Sequence, residues 1–364
     1  MRLLILGCGG FVGSHLLDRM LARTDVEIEG WDPDRTKIAK HLENPCFTFH
    51  QVPCIDGVEL RRLEERLVGA DALINLAAIC NPSQYNTRPL DVIRTNLFDS
   101  YPVVEACARA NKWLIYFSTS EVYGRTLSSY LKTESNDPDL YELRENQTPL
   151  IMGPIVNQRW TYACAKQMME RILYAHHATT GMPFTIVRPL NFFGPRMDYI
   201  PRCAGEGVPR VLACFMAALL RGEPMQLVDG GKARRTIVAV EEAVEAIARM
   251  LDMPNKAKNQ IFNIGNRDNE ITMRDLAEMM RDVFAEITTE PKYRSHPIVD
   301  VSGEDFYGTG YEDCDRRMPD LTQAETLLNW RPKRSLREIL LPTMRDYLTR
   351  YADLAQSNET AVAS

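Results

Sequence analysis

Short apolar runs, each followed by glycine or polar residues and then a helical spacing, set the rhythm of the first half of the chain. Leu3 to Leu6 is the first such run; glycines follow it, then apolar residues at helical spacing around Leu16, Leu17 and Met20. Val26 to Trp31 is the second run, closed by Asp32. Ala72 to Ile79, Trp113 to Ser118 and Pro183 to Val187 repeat the pattern, with helix-like stretches between them. Apolar strands that alternate with helices belong to a parallel sheet covered on both faces, since a half-exposed sheet would alternate apolar and polar positions. The pattern predicts an α/β fold with a Rossmann-type, doubly wound parallel sheet. After about residue 188 the rhythm changes: Pro and Gly become more frequent, loops lengthen, and helices are predicted at Pro209 to Leu220, Val240 to Leu251, Thr272 to Phe284 and Leu321 to Leu328. Residues 1–188 are expected to form the sheet domain, with segments near 232–250 returning to it. Residues 189–350 are expected to form a smaller α/β domain, and 355–364 a flexible tail. Pro102, inside the helix that begins near Asn96, predicts a kink or a late helix start.

Composition narrows the function classes. The 364 residues are 45% hydrophobic and 25% charged, ordinary for a globular chain long enough to fold without disulfides or metal. Lys and Arg number 43 against 49 Asp and Glu, so the basic footprint of a nucleic-acid binder is missing. No apolar run approaches the 18 or more residues of a membrane span, and MRLLILGCGG is too short an apolar stretch for a secretory signal. The nine cysteines are scattered without a CxxC, and the six histidines complete no zinc spacing. Reduced thiols, a cytoplasmic location and no metal are the expectations.

Candidate chemistry sits at strand ends. Gly7-Cys8-Gly9-Gly10-Phe11-Val12-Gly13 follows the first strand and opens the first helix, where glycines permit a tight turn and close approach of backbone to a pyrophosphate. Asp32, 19 residues after Gly13, closes the second strand where an acid would bind the adenosine ribose hydroxyls. That favours NAD over NADP, although Arg35 leaves NADP open; the lesser alternative for Asp32 is a turn residue before Pro33. Tyr162 and Lys166 lie four residues apart, on one side of a helix, and an adjacent ammonium lowers the pKa of a phenol enough to make it a base. Ser118-Thr119-Ser120-Glu121 sets hydroxyls and a carboxylate at the end of the strand Trp113 to Phe117, where open α/β sheets bind ligands.

In this order, glycine loop, STSE and YxxxK, the chain resembles the extended short-chain dehydrogenase/reductase family, the nucleotide-sugar epimerases and dehydratases. Asn75-Leu76-Ala77-Ala78, Asn96 and Arg188-Pro189-Leu190-Asn191-Phe192-Phe193-Gly194-Pro195-Arg196 carry the resemblance further. It implies NAD held by Gly7, Gly10, Phe11, Val12, Gly13, Asp32, Ala77, Asn96, Tyr162 and Lys166. Within the family, Gln158-Arg159-Trp160-Thr161-Tyr162, Leu227-Val228-Asp229-Gly230-Gly231 and Phe306-Tyr307-Gly308-Thr309-Gly310-Tyr311 resemble the UDP-glucuronate decarboxylating enzymes, namely the apiose/xylose synthases and the polymyxin-resistance decarboxylases. Ala78 to Asp91 and Gly207 to Phe215 are more similar to the synthases. The resemblance implies a catalytic set of Tyr162, Lys166, Thr119, Ser120, Glu121, Arg317 and Cys80. The implied UDP-sugar site is Cys80, Tyr85, Thr119, Ser120, Arg159, Asn191, Gln226, Arg235, Tyr311 and Arg317. Oxidation at C4, loss of CO₂ and reduction, giving UDP-apiose and/or UDP-xylose, are the implied activity, with release of the UDP-4-keto-pentose or a simple epimerisation as alternatives. A homodimer through the helices starting near Asn96 and Tyr162 is implied too. Read without the family, Cys80 is a small buried hydrophobe, Arg317 a surface ion-pair residue, and Glu134 to Glu145 a solvated acidic loop with room for a lid role.

Overall fold

Seven strands, β1 (Arg2–Leu6), β2 (Glu27–Asp32), β3 (Phe47–Gln51), β4 (Ala72–Asn75), β5 (Trp113–Phe117), β6 (Phe184–Pro189) and β7 (Gln260–Ile264), pair in parallel in the order β7-β6-β5-β4-β1-β2-β3. The computed structural model describes residues 1–53, 55, 57–133, 136–203, 208–307, 312 and 314–354. The two-residue strand period explains the layers: Leu3 and Ile5 of β1 enter one core, Leu4 and Leu6 the other. On the first face lie α1 (Phe11–Met20) and, far away in sequence, α6 (Val240–Asp252), which contribute Leu16, Leu17, Ala243 and Ile247. On the opposite face lie α2 (Gly57–Leu67), α3 (Tyr101–Ala110) and α4 (Thr161–Thr180), burying Leu63, Val104, Met169 and Leu173.

A separate core forms in the second half. There α5 (Val211–Arg221), α7 (Met273–Thr288) and α8 (Leu336–Arg350) pack Leu212, Phe215, Met280, Phe284, Leu340 and Tyr347 together. The chain's return to the sheet runs beyond 232–250: α6 lies on the sheet, β7 is its edge strand, and Ala324, Leu328 and Trp330 join the same core. The wide turn Arg94–Phe98 precedes α3, and Pro102 occupies the first turn of α3, where its missing N–H costs no helical hydrogen bond. Glu145, at the end of the acidic stretch expected to be solvated, is instead buried, because its carboxylate accepts the Asn263 N–H at 2.9 Å. The tail 355–364 lies outside the described residues. No described helix is long and apolar enough to cross a membrane.

Candidate active site

Between the carboxyl ends of β1, β4, β5 and β6 and residues of the second half such as Val211, Phe215 and Ile237 lies a cavity of about 750 Å³. Gly7, Gly10, Phe11, Val12 and Gly13 form one wall. Gly7 adopts φ +82°, and a methyl group there would lie 2.8 Å from the Ala77 nitrogen. At Gly13 it would lie 2.3 Å from the Gly7 carbonyl oxygen, so these two glycines allow one backbone to rest on another. Gly10 differs: a methyl group meets only the Gly7 oxygen, at 3.3 Å, and would otherwise fill the space beside the N-terminus of α1, which no side chain caps. That cradle suits a diphosphate. Deeper in the cavity, the Ser118 hydroxyl is buried without a protein partner among the described residues, a second place for a ligand's polar group. Gly7, Gly10, Phe11, Val12 and Gly13 thus fit the dinucleotide implied by the sequence.

Asp32, Ala77 and Asn96 stand behind this wall and do not line it. Both carboxylate oxygens of Asp32 are engaged, accepting the Gly9 N–H at 2.9 Å and the Asp34 N–H at 2.8 Å. Burial raises its pKa against those two bonds. The Ala77 N–H donates to Asn75 Oδ1 at 3.1 Å. The Asn96 amide donates to the Ile79 and Val92 carbonyls, both at 2.9 Å, pinning the loop that leads to Cys80.

At the reaction end, the Thr119 hydroxyl accepts the Glu121 N–H at 3.1 Å, leaving its own proton to point elsewhere; Thr119, Ser120 and Glu121 all line the cavity. Glu121 is paired on both sides, with Arg317 and with Arg159 at 2.5 Å. Burial alone would raise its pKa, but Arg159 and Arg317 outweigh it and hold the carboxyl well below the usual carboxylate range. Tyr162 and Tyr85 stack at 5.0 Å and 11°, and the Tyr85 hydroxyl donates to the Cys80 carbonyl at 3.1 Å. Burial pushes the Tyr162 phenol well up, with Tyr85, Cys80, Tyr116 and Glu121 adding to it. The expectation of a lowered phenol is therefore not met by the protein's own groups. Its intended partner, Lys166, donates to the Phe117 carbonyl at 2.9 Å and lies 4.6 Å over the Tyr116 ring. Burial lowers the Lys166 pKa to about 8, with Cys80 and Glu170 opposing.

On the substrate side, Cys80, Asn191, Gln226 and Arg235 line the same cavity. Cys80 is open to the cavity rather than packed away; the surrounding protein raises its thiol, Arg210 lowering it and Asp198 adding to the rise. Asn191 donates to the Thr236 carbonyl at 2.9 Å, and Arg235 to the Cys314 carbonyl at 2.8 Å. Tyr311 lies outside the described residues. Lys37, Asp198, Arg210 and Lys232 also line the cavity, and sequence reasoning missed their part in it. Arg210 is bidentate to Asp198 at 2.8 and 2.9 Å and lies 5.7 Å over the Phe11 ring. Its position just ahead of α5, in a segment already singled out, was the only signal. Seven Lys and Arg against four Asp and Glu face this cavity, so a net −6 chain carries a locally positive pocket.

Known proteins agree with this geometry. The model of the NAD dependent epimerase/dehydratase family matches residues 3–265. The chain is 48% identical over 352 residues to a UDP-D-apiose/UDP-D-xylose synthase of Oryza sativa subsp. japonica, covering 93% of this chain and 87% of the relative. It is 46% identical to UDP-D-apiose/UDP-D-xylose synthase 2 of Arabidopsis thaliana, covering 100% and 96%. Among solved structures, the PbgP3 protein from Burkholderia pseudomallei superimposes with a TM-score of 0.82 at 28% identity, covering 97% of this chain and 98% of that one. From the seven-stranded parallel sheet, the glycine cradle and these matches, the chain belongs to the NAD dependent epimerase/dehydratase family, whose cofactor is NAD.

Proposed function

We propose that this protein is an NAD-dependent UDP-glucuronate decarboxylase that forms UDP-apiose and/or UDP-xylose. The observation that carries the proposal is the meeting of Arg159 and Arg317 on one carboxylate, that of Glu121, in the cavity that also holds Tyr162 and Lys166. Two guanidiniums that grip one carboxylate can grip the carboxylate of a uronic acid by the same planar, charge-assisted bonding. The synthase names of the relatives 46% and 48% identical to this chain support the same substrate.

The cofactor, when bound, accepts hydride from sugar C4 and later returns it. Tyr162 as phenolate takes the C4 hydroxyl proton, and Thr119, whose own proton is unspent, donates a hydrogen bond to that oxygen. Lys166 supplies the positive charge that makes the phenolate affordable in a buried place. The resulting 4-ketone makes the uronate a β-keto acid; its C5–C6 bond breaks, CO₂ leaves, and the electron pair stays as an enolate across C4 and C5. The positive charges of Arg159 and Arg317 orient the departing carboxylate. As the substrate carboxylate engages Arg317, Glu121 loses one of the charges that keep it ionised and takes up a proton from solvent water. When CO₂ departs and the guanidinium returns, that proton is expelled to C5. Reduction of the ketone, with Tyr162 returning its proton, gives UDP-xylose; retro-aldol opening between C2 and C3 before reduction leads to UDP-apiose. Asn191, Gln226 and Arg235 hold the nucleotide end, and Cys80 faces the sugar.

Phe98, Tyr101, Met168 and Tyr174 are exposed on and beside α3 and α4. A second copy of the chain covers this face, and Tyr174→Glu is expected to give monomers by light scattering where the parent gives dimers. Cys8, Cys46, Cys80, Cys107, Cys164, Cys203 and Cys214 are free thiols, in keeping with a cytoplasmic enzyme. The test of the function is release of labelled CO₂ from UDP-glucuronate carrying the label at C6, with NAD present. Release at catalytic turnover supports the proposal, and its absence from folded protein that binds NAD overturns it.

A further inference from the structure

A buried ion pair next to the reaction end has no part in the steps above. Glu170 stands four residues after Lys166 and eight after Tyr162, so the three side chains follow one another along one side of α4. Its carboxylate is bidentate to Arg188 of β6, with Nε at 3.0 Å and Nη2 at 2.6 Å, and the two side chains are 7% and 4% exposed. Arg188 donates again to the Glu145 carbonyl at 3.0 Å and lies 4.6 Å over the Tyr123 ring. The Tyr123 hydroxyl donates to Asn263 Oδ1 at 2.9 Å, and Asn263 bonds Glu145 in turn. A closed polar network thus ties the helix of Tyr162 and Lys166 to β6, to β7 and to the turn that follows Glu121.

Ion pairs this deep are dear in solvation, and apolar packing of the same volume stabilises a fold as well or better. Stability is therefore a weak reason for this one. We propose that Glu170, locked by Arg188, is a positioning residue that holds Lys166 in its place and in its charged form. Lys166 is faced by Tyr162 and Glu170 from its own helix, by the Tyr116 ring and Phe117 carbonyl from β5, and by Cys80 from the loop after β4. Of the acidic groups that face it, Glu170 is the carboxylate. Burial drives Lys166 toward the neutral amine, and the charge of Glu170 opposes that. Arg188 keeps the carboxylate from turning toward Lys166 and neutralising it directly, so the ammonium stays available to the site.

The inference rests on the Tyr162–Lys166 reading given above, and the test separates the two. The double variant Glu170→Met with Arg188→Met removes both charges while keeping the packing; Glu170→Gln keeps the shape alone. Both are assayed for melting temperature, NAD affinity and the pH dependence of kcat, beside Glu170→Asp and Lys166→Met. In the double variant the melting temperature and NAD affinity stay near those of the parent. Its kcat falls by about tenfold or more, and the alkaline limb of kcat moves to lower pH by about half a unit or more, because a less favoured ammonium is lost earlier. Glu170→Gln moves the limb in the same direction, and Glu170→Asp restores it. A double variant with the parent's alkaline limb overturns the inference, whether or not its stability has dropped. If Lys166→Met turns over like the parent, the underlying reading falls with it; if Lys166→Met is inactive and the limb is unmoved, only the role of Glu170 falls.

Discussion

The two ends of the cavity are built by opposite means. At the glycine end, backbone lies on backbone: Gly13 against the Gly7 carbonyl, Gly7 against Ala77, Gly9 against the Asp34 carbonyl. At the reaction end, side chains do the joining, and Glu121 and Arg317 meet across 196 positions of sequence. The first kind of site is specified by what must be absent, a Cβ; the second by charges that must balance. The glycine end is therefore intolerant of added volume, and the reaction end of any change that leaves a charge alone.

Four substitutions press on that contrast. The largest effect is expected from Tyr162→Phe, which removes only an oxygen. Turnover falls by about 10²- to 10⁴-fold, the usual worth of a general base, while NAD titration by fluorescence stays within a few-fold of the parent. Next comes Glu121→Gln, which leaves Arg159 and Arg317 facing each other. Breaking a buried pair costs about 3–5 kcal/mol, read by denaturant unfolding. The KM for UDP-glucuronate is expected to hold or fall, since two guanidiniums are freed for the uronate, while kcat drops. Acid sharpens this prediction. The Glu121 pKa is depressed in the fold, so its contribution is full above the ordinary value of 4.5 and is lost as pH falls below it. The melting temperature of the parent should accordingly decline more steeply below that pH than that of Glu121→Gln.

Smaller effects belong to the glycine end. Gly13→Ala forces a methyl group to 2.3 Å from a carbonyl oxygen and is expected to cost about 1–3 kcal/mol of stability, together with NAD binding. Gly10→Ala, whose methyl meets only one atom at 3.3 Å, should fold like the parent and lose NAD affinity alone, by about tenfold, on calorimetric titration. Equal losses of stability in the two variants would erase the distinction drawn between wall and cradle.

The glycine end was legible in the sequence because its determinants are local. Strand, glycine spacing and helix follow within residues 2–20, and the sheet they belong to is parallel, as the alternation of runs implies. The apolar pattern picked out neither β3 nor β7. Phe47–Gln51 carries Thr48 and Gln51 exposed at the sheet edge, and Gln260–Ile264 is an edge strand reached only after a long excursion. At the reaction end, residue types were legible and pairings were not. Arg159 was expected to meet the substrate, yet nothing local says that it shares Glu121 with Arg317. Asp198 and Arg210, twelve residues apart, gave no periodic signal, and Glu145 was read from its acidic neighbours rather than from the strand that buries it.

The most direct measurement is the NMR spectrum of the nucleotide sugar formed when the purified protein is given UDP-glucuronate and NAD. The account predicts a pentose nucleotide, xylose or apiose, that has lost C6, with the matching amount of CO₂. A product that keeps all six carbons, such as the C4 epimer of the substrate, would contradict it.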